Sequence, residues 1–398
     1  MAALTFEQAR QCVLEQTFRH AARPGIENVD LLSAAGRVLA ETVVADRDLP
    51  PFHRSGRDGF AVRAEDLPGA LRVIGEVRAG EASPLPVTRG EAIEIMTGAP
   101  LPAGADAVLM VEHAVRNGGS DITTDRALLA GENVIPQGAE VRCAETVAAP
   151  GMRLAYPAIA LLATVGKPSL AVYRKPQVAI LPTGDELVGI REQPQPFQIR
   201  NSNAYSLAVQ VARAGGEPLM LPVARDQWEP ALAAIREGLK ADLLLLSGGV
   251  SAGKYDIVEN VLASLGAEFF FDRVLIQPGQ PLVFGRAGGT LFFGLPGNPA
   301  STMVTFELFA RAALEILSGV NEPSRPLLWT RVDRDFRHKP GLTRFLPARL
   351  SASGESVTPL SWHGSGDVPA LTRANAYVVA ESGREAWAAG DWIQVLPQ

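Results

Sequence analysis

Hydrophobic positions follow two different patterns along this chain. Between residues 176 and 322, short uninterrupted apolar runs such as 243–246 alternate with stretches of helical spacing such as 203–214. Fully apolar strands separated by helices are typical of a parallel sheet that is covered on both faces. In residues 49–144 and 323–398, short β-rich runs alternate with Gly/Pro turns, which predicts two small β domains.

The fold class that these patterns predict is α/β multidomain, with a central doubly wound, mostly parallel sheet. Residues 49–144 form the first small β domain, residues 176–322 the α/β domain and residues 323–398 the C-terminal β domain. Residues 1–48 together with 145–175 form an elongated, discontinuous segment of helices and strands in this prediction, since the Ala/Leu-rich stretch 145–175 can pack back on the first segment.

Several elements are predicted individually. Thr5 and Gln8 have the spacing of a capping box, which predicts a helix that begins at Phe6. Apolar periodicity predicts further helices, and short apolar runs predict strands. The predicted helices cover 31–39, 203–214, 229–240, 255–265 and 300–317, and the predicted strands include 218–223, 243–246 and 269–276.

Composition and charge exclude several classes of protein. The 398 residues are 47% hydrophobic and 20% charged, as in soluble globular proteins. A net charge of -6 argues against nucleic-acid binding, which needs a basic surface. No apolar stretch reaches the ~18 residues of a membrane span, and Glu7 and Arg10 stand where an export signal needs apolar residues. Cys12 and Cys143 cannot form a disulfide framework, so we expect a reduced, cytoplasmic protein.

Three loops in the α/β segment each follow an apolar strand directly. Ligands of open parallel sheets bind outside the carboxyl ends of the strands, and glycines there allow backbone N–H groups to approach an anion. The second and third loops therefore suit phosphate or another oxyanion. The loops are Thr183-Gly184-Asp185-Glu186, Ser247-Gly248-Gly249-Val250-Ser251 and Pro296-Gly297-Asn298-Pro299.

Carboxylates near the same edge would repel an anionic ligand. They are Asp185, Glu186 and Asp256. A hard divalent cation resolves this conflict, because carboxylates bind Mg²⁺ and Mg²⁺ bridges to phosphate oxygens. The sequence therefore predicts metal-assisted chemistry on a phosphorylated ligand.

Each of these motifs also has an ordinary structural interpretation. Gly-Gly after a strand is often only a turn, Thr183–Glu186 can be a helix N-cap with acids in the first turn, and Asp256 can cap its own helix. The loops around Asp58 and Thr97 are ordinary turns when each is taken alone. The five histidines show no metal-ligand spacing, and no Gly-x-Ser-x-Gly or Walker-type loop is present.

Six motifs in order resemble those of the molybdopterin molybdenumtransferase family, which includes the C-terminal domain of gephyrin. The stretch Gly364–Asp367 in the final β segment is also similar. The six motifs span most of the chain, and together they are far more specific than one glycine loop. They are SGRDGFAV (55–62), IMTGAP (95–100), LPTGDEL (181–187), SGGVSAGKYD (247–256), QPGQPLVFG (277–285) and GLPGNPAS (294–301).

The resemblance implies an elongated homodimer with an active site shared between subunits. It implies that molybdate, a substrate, is inserted into the dithiolene of adenylated molybdopterin with help from Mg²⁺, and that molybdenum cofactor and AMP are the products. It also implies the molybdopterin adenylyltransferase as a candidate partner, and neither a nucleic-acid nor a membrane partner.

The resemblance further implies a role for each matching residue. Glu186 and Asp256 would bind the metal, and Asp58 and Thr97 would act across the dimer cleft. The implied catalytic residues are Asp58, Thr97, Asp185, Glu186 and Asp256. The implied substrate-binding residues are Thr183, Gly184, Ser247, Gly248, Gly249, Ser251, Gln277, Pro296, Gly297, Asn298, Pro299 and Ser301.

This chain departs from the family pattern at a few positions. Gln277 stands where many members have Lys, and Arg273 is a candidate replacement for that cation. Glu140 follows Gly138-Ala139 where many members have Gly-Glu-Asp, and Arg57 replaces a usual Met. Three other functions stay open at this point: the molybdopterin adenylyltransferase, a non-enzymatic gephyrin-like scaffold, and insertion of tungstate instead of molybdate.

Overall fold

The chain begins with α1 (Phe6–His20), which has the predicted capping box. Thr5 Oγ1 accepts a hydrogen bond from the Gln8 backbone N–H at 3.3 Å, and Gln8 Oε1 accepts one from the Thr5 N–H at 3.0 Å. The Phe6 ring packs edge-on against Phe309 and Phe345. The computed structural model describes residues 2–22, 24–249, 257–323 and 327–398.

Two short strands follow α1, namely β1 (Ile26–Asp30) and β2 (Val43–Val44). The helix predicted over 31–39 is wrong, since this stretch forms turns. Gly36 has a left-handed φ of 77°, and Leu39 pairs with Val172 through an isolated antiparallel bridge. Distant backbone partners therefore override the local helical pattern.

The next segment is a β structure between residues 54 and 135. Its strands are β3 (Arg54–Ser55), β4 (Gly59–Val62), β5 (Gly69–Val77), β6 (Glu91–Ile95), β7 (Ala107–Met110), β8 (Val115–Arg116), β9 (Asp121–Thr124) and β10 (Val134–Ile135). Six of them form one sheet in the order β7-β4-β6-β5-β9-β8. β4 and β6 are antiparallel, with Gly59 opposite Ile95, so the turn before β4 lies beside the turn after β6.

The chain then returns to the first segment. It forms β11 (Thr146–Ala148), α2 (Tyr156–Thr164) and β12 (Ser169–Tyr173). β1 pairs with β12, and β2 pairs with β11, both antiparallel. Leu39 and Val43 share one apolar core with Leu154, Leu162 and Leu170.

The central segment contains the large sheet of the protein. Its elements are β13 (Gln177–Pro182), β14 (Leu187–Val188), β15 (Ile199–Arg200), α3 (Asn203–Arg213), β16 (Glu217–Met220), α4 (Trp228–Gly238), β17 (Leu243–Ser247), α5 (Ile257–Ser264), β18 (Glu268–Phe271), β19 (Ile276–Gln277), β20 (Val283–Ala287), β21 (Thr290–Leu295), α6 (Pro299–Thr305) and α7 (Arg311–Leu317). The sheet order is β16-β13-β17-β21-β20-β18. The first four strands are parallel to one another, whereas β20 is antiparallel to both of its neighbours, β21 and β18, so the sheet is mixed.

Alternate residues of the parallel strands enter two separate cores. Ile180 and Leu245 pack in the core that contains α3, α6 and α7, whereas Leu244 and Leu246 pack with α4 and α5. This burial on both faces explains why the central strands carry uninterrupted apolar runs such as 178–181 and 243–246. The helices predicted over 203–214 and 229–240 are confirmed to within two residues.

Two predicted elements of this segment are divided in the structure. The strand predicted over 269–276 ends at Phe271; Val274 forms an isolated parallel bridge with Leu4, and the next strand is β19. The helix predicted over 300–317 is present, but a π-helical turn (Phe306–Ala310) connects α6 to α7.

The C-terminal segment is a β structure with one short helix. It consists of β22 (Leu328–Val332), β23 (Phe336–Arg337), β24 (Thr343–Leu350), β25 (Ser356–Pro359), α8 (Val368–Leu371), β26 (Ala376–Ala380), β27 (Ala386–Trp387) and β28 (Trp392–Pro397). Pairings run in the order β24-β25-β22-β28-β26, and β26 also pairs with β24, which closes the ring. β19 of the central segment adds to β24 in parallel, with Gln277 opposite Arg344.

None of the helices in the described ranges is both long enough and apolar enough to span a bilayer.

Candidate active site

Three loops meet at the carboxyl edge of the central sheet, as the sequence predicts. The neighbouring parallel strands β13, β17 and β21 end there. The Thr183 N–H donates to Ser247 O at 3.0 Å, and the Gly248 N–H donates to Leu295 O at 3.2 Å. A β-carbon placed on Gly297 would lie 3.6 Å from the Gly248 Cα, so the second and third loops are in contact.

Two glycines of this edge have backbone conformations that favour glycine. Gly248 has a φ of 95°, and a β-carbon there would lie only 2.7 Å from Thr183 O. Gly184 has a φ of 137°, and a β-carbon there would lie 2.5 Å from Glu186 Oε2. A larger residue at either position would strain the backbone, and at Gly248 it would also clash with a backbone oxygen, whereas the flexible Glu186 side chain can move away from Gly184.

The first loop presents its two acids differently. Asp185 Oδ1 accepts a hydrogen bond from the Asp226 N–H at 3.2 Å, which fixes that side chain. The exposed Glu186 carboxylate lies beside Gly184, and no described residue forms a hydrogen bond with it. The N-cap interpretation of this loop is wrong, because the chain continues into β14 and no helix begins there.

The described residues contain no group of three or more His, Cys, Asp or Glu side chains that could bind a metal ion. Ser251 and Asp256, which the sequence assigns to substrate and metal binding, lie outside the described residues.

The third loop leads directly into α6. Asn298 occupies the N-cap position without a side-chain capping bond, and Pro299 starts the helix. Thr302 Oγ1 donates to Pro296 O at 2.6 Å, which fixes the loop from the helix side. Ser301 is buried in the first turn. The loop also contacts the C-terminal segment, since the Ala300 N–H donates to Ser365 O at 2.9 Å.

Asn203 is a residue of this edge that sequence reasoning missed. It is the first residue of α3, and its Nδ2 donates to Ser247 Oγ at 3.2 Å and to Gly297 O at 2.7 Å. Its only sequence signal is a polar amide directly before the apolar face of a predicted helix. A cavity of about 60 Å³ lies here, lined in part by Thr183, Glu186, Arg200, Asn203, Ser247, Gly248, Gly297 and Pro299.

Gln277 lies beside a cation that the sequence did not suggest. Arg344 Nη1 donates a hydrogen bond to Gln277 Oε1 across the β19–β24 pairing. Among the described residues, no hydrogen bond joins the guanidinium of Arg273, the predicted replacement, to Gln277; the backbone carbonyl of Arg273 accepts from the Leu4 N–H at 3.1 Å. A β-carbon on Gly279 would lie 2.4 Å from the Thr305 methyl carbon Cγ2, so this loop packs against α6.

Asp58 and Thr97, which the resemblance implies act across the dimer cleft, are in direct contact. Both the backbone N–H and the hydroxyl of Thr97 donate to Asp58 Oδ1, at 2.6 and 2.8 Å. These two donors, the backbone N–H first, lower the pKa of the exposed Asp58 carboxyl. In the described part of the chain, Arg57 forms no ion pair with Asp58, and Glu140 pairs with Arg54 at 2.9 Å.

Three family descriptions match successive parts of the chain. Residues 4–166 match the MoeA N-terminal region (domains I and II), residues 179–316 a probable molybdopterin binding domain, and residues 330–398 the MoeA C-terminal region (domain IV).

Curated relatives and solved structures agree with these matches. The molybdopterin molybdenumtransferase of Staphylococcus epidermidis strain RP62A is 34% identical over 379 residues, which is 93% of this chain and 90% of the relative. That of Bacillus subtilis strain 168 is 35% identical over 383 residues, covering 93% and 89%.

Two solved structures of molybdopterin biosynthesis MoeA protein from Pyrococcus horikoshii are similar over the whole chain. One has a TM-score of 0.80 at 27% identity and covers 100% of both chains. The other has a TM-score of 0.74 at 31% identity and covers 100% of this chain and 99% of its own. The multidomain fold and the motif resemblance are thereby confirmed, and the chain belongs to the molybdopterin molybdenumtransferase family.

Proposed function

We propose that this protein inserts molybdate into the dithiolene of adenylated molybdopterin and cleaves the adenylate, which gives molybdenum cofactor and AMP. Family membership supports a transferase of molybdenum cofactor biosynthesis. The observation that carries the proposal is the contact of three glycine-containing loops at one sheet edge, with the Glu186 carboxylate beside them. Such an edge is where open α/β sheets bind their ligands.

Mg²⁺ is part of the proposal, and one of the described residues, Glu186, offers a suitable ligand. The described residues do not form an all-protein cage of three acids. Mg²⁺ commonly binds through one or two carboxylates together with substrate phosphates, and Glu186 offers a carboxylate that no described residue engages. Bound Mg²⁺ would neutralise charge that develops on the phosphate oxygens. Glu186 would bind it, and Asp256 is the second proposed ligand.

Asp58 and Thr97 belong to a second part of the proposed active site. Their hydrogen bonds to each other hold an ionised carboxylate at an exposed turn of the β segment. We propose that this turn acts on substrate bound to the partner subunit of a homodimer. The four-part division of the chain and a cytoplasmic location are part of the same proposal.

Two other functions have less support. An adenylyltransferase that resembles only the central segment would leave the matches over 4–166 and 330–398 without a role. A scaffold without enzymatic activity does not need a carboxylate at the sheet edge where ligands bind. The exposed Glu186 carboxylate at this edge therefore favours an enzyme. The adenylyltransferase remains a proposed partner that supplies the substrate.

The proposed reaction is tested by the release of AMP from adenylated molybdopterin. Purified protein is incubated with this substrate and Mg²⁺, with and without molybdate and in the absence of ATP. We expect AMP release that depends on molybdate. A relative with known activity serves as the positive control. If the relative releases AMP under these conditions and this protein does not, the proposed function is wrong.

A further inference from the structure

Asn203 ties two of the site loops together and has a fixed orientation. An amide group carries two N–H donors, and those of Asn203 face Ser247 Oγ at 3.2 Å and Gly297 O at 2.7 Å. A backbone carbonyl can only accept hydrogen bonds, so the nitrogen of the amide must face Gly297. Asn203 Oδ1 therefore receives no hydrogen bond from Ser247 or Gly297.

Two polar atoms beside this link have no hydrogen-bond partner among the described residues. They are Asn203 Oδ1 and Thr183 Oγ1, and both are shielded from solvent. Thr183 as a whole is only 3% exposed. Buried polar groups without partners are uncommon, and each calls for an explanation such as a ligand. Both residues line the same cavity, together with Ser247 and Gly248.

The chemistry of these atoms selects one kind of ligand. Asn203 Oδ1 only accepts hydrogen bonds, whereas the Thr183 hydroxyl can donate or accept. A phosphate or molybdate oxygen would face Asn203 Oδ1 without a proton between them, which is repulsive. An uncharged N–H or O–H group would satisfy it. The cavity volume of about 60 Å³ is far below the roughly 300 Å³ of a small-molecule pocket, so only an edge of a ligand can enter.

We propose that Asn203 is a substrate-binding residue, and that its Oδ1 together with Thr183 Oγ1 binds an uncharged hydrogen-bonding edge of the substrate. This inference rests on the proposed function, whose substrate offers such edges on its pterin ring and on its nucleoside. Phosphate and molybdate bind elsewhere on the loops. The cavity that Asn203 and Thr183 line with Ser247 and Gly248 is thus a subsite for a neutral group, although the glycine pattern alone predicts an anion site.

The test compares three variants with the wild-type protein. Asn203→Ala removes the acceptor together with the link between the loops. Thr183→Val removes only the hydroxyl, at nearly constant shape and without loss of any hydrogen bond to a described residue. The control is Val209→Ala, at a 59% exposed position of the same helix. Dissociation constants are measured for adenylated molybdopterin, molybdopterin and AMP, together with the molybdate concentration for half-maximal AMP release.

We expect Asn203→Ala to weaken binding of adenylated molybdopterin at least 10-fold and Thr183→Val to weaken it about 5-fold or more, with KM affected more than kcat. The melting temperature of Thr183→Val stays equal to that of the wild type or rises, because an unpaired buried hydroxyl is lost. The molybdate requirement and the control remain unchanged. Weaker binding of molybdopterin assigns the edge to the pterin, and weaker binding of AMP assigns it to the nucleoside.

The outcomes separate this inference from the proposed function. A wild-type protein that neither binds adenylated molybdopterin nor releases AMP contradicts the proposed function itself. A functional wild type whose Thr183→Val variant binds substrate with unchanged affinity contradicts the inference alone. So does a Thr183→Val variant in which only the molybdate requirement changes, since that result would identify an anion subsite.

Discussion

Thr97 holds the Asp58 carboxylate with two donors, since its backbone N–H and its hydroxyl both bind Asp58 Oδ1. The two residues are distant in sequence and adjacent in space because β4 and β6 pair. Hydrogen bonds to an ionised carboxylate favour the charged form and therefore lower the pKa of Asp58. Asp58 thus stays ionised at pH values where an ordinary aspartate is already protonated. Any contribution of that charge is lost as the pH falls through the lowered pKa.

Replacing Thr97 with Val is predicted to raise the pKa of Asp58. The variant keeps the backbone N–H, which is the larger cause of the lowered pKa, so the rise is partial. If Asp58 acts as a carboxylate, the acid limb of the activity profile moves to higher pH. The measurement is an NMR titration of the Asp58 carboxyl carbon together with a pH profile of AMP release.

The matched control for this variant is Thr88→Val. Thr88 Oγ1 donates to Glu91 Oε2 at 2.5 Å in the same segment, and this bond lowers the pKa of Glu91. Thr88→Val is expected to raise the pKa of Glu91 and to leave the activity profile unchanged. An activity profile that moves equally in both variants would show that the effect is not specific to Asp58.

A second prediction concerns the dependence of activity on Mg²⁺. Glu186→Gln keeps the size of the side chain and removes its charge, so the variant should need about 10-fold more Mg²⁺ or worse for half-maximal activity. The control is Glu192→Gln. Glu192 lies in the connection between β14 and β15, close in sequence to Glu186, and its carboxylate accepts a hydrogen bond from the Gly189 N–H at 2.8 Å. We expect wild-type Mg²⁺ dependence for the control. If Glu186→Gln needs the same Mg²⁺ concentration as the wild type, Glu186 is not a ligand of the proposed metal site.

The third prediction separates backbone strain from steric contact at Gly248. Gly248→Ala adds a methyl group 2.7 Å from a backbone oxygen, at a φ of 95°. Gly266 at the end of α5 has a similar φ of 74° but no atom within 4 Å of the added carbon. We expect Gly266→Ala to cost about 1–2 kcal/mol of unfolding free energy from strain alone. Gly248→Ala should cost more and should also reduce substrate affinity.

Chemical denaturation and substrate titration of both variants give these values. If Gly248→Ala destabilises no more than Gly266→Ala and binds substrate normally, the second loop tolerates a wider separation from Thr183 than the structure indicates.

The sequence predicted those parts of the fold that depend on local patterns. Apolar runs such as 243–246 are buried on both faces, so their pattern identifies central strands directly. The three loops were placed correctly because parallel strands end at a common edge. The helix over 31–39 was wrong because its backbone groups pair with residues far along the chain, which a local pattern does not encode.

The parts of the candidate site that the sequence did not predict are also long-range. Asn203 is the first residue of α3, and only the folded chain brings its amide to Ser247 and Gly297. Arg344 reaches Gln277 through a pairing between two different segments. Spacing within one motif carries no information on either contact.

The fourth prediction uses the Arg344–Gln277 contact. The family resemblance implies Lys at the position of Gln277, and Arg344 Nη1 donates a hydrogen bond to the Gln277 side chain from the neighbouring strand. If this cation binds an anionic substrate, Arg344→Ala should raise the KM for molybdate or for the adenylated substrate roughly 10- to 100-fold, as expected for loss of a charged hydrogen bond.

Gln277→Lys in the Arg344→Ala background restores a cation from the other strand, and it should recover most of the lost affinity. Arg349→Ala is the control, because Arg349 is an exposed arginine of the same strand whose guanidinium donates to Arg373 O at 3.4 Å. KM values are measured by steady-state kinetics for the two single variants Arg344→Ala and Gln277→Lys, for the double variant and for the control. Recovery in the double variant would show that substrate binding depends on a positive charge at this position and not on arginine itself. A double variant as impaired as Arg344→Ala would instead assign Arg344 a structural role in joining β19 to β24.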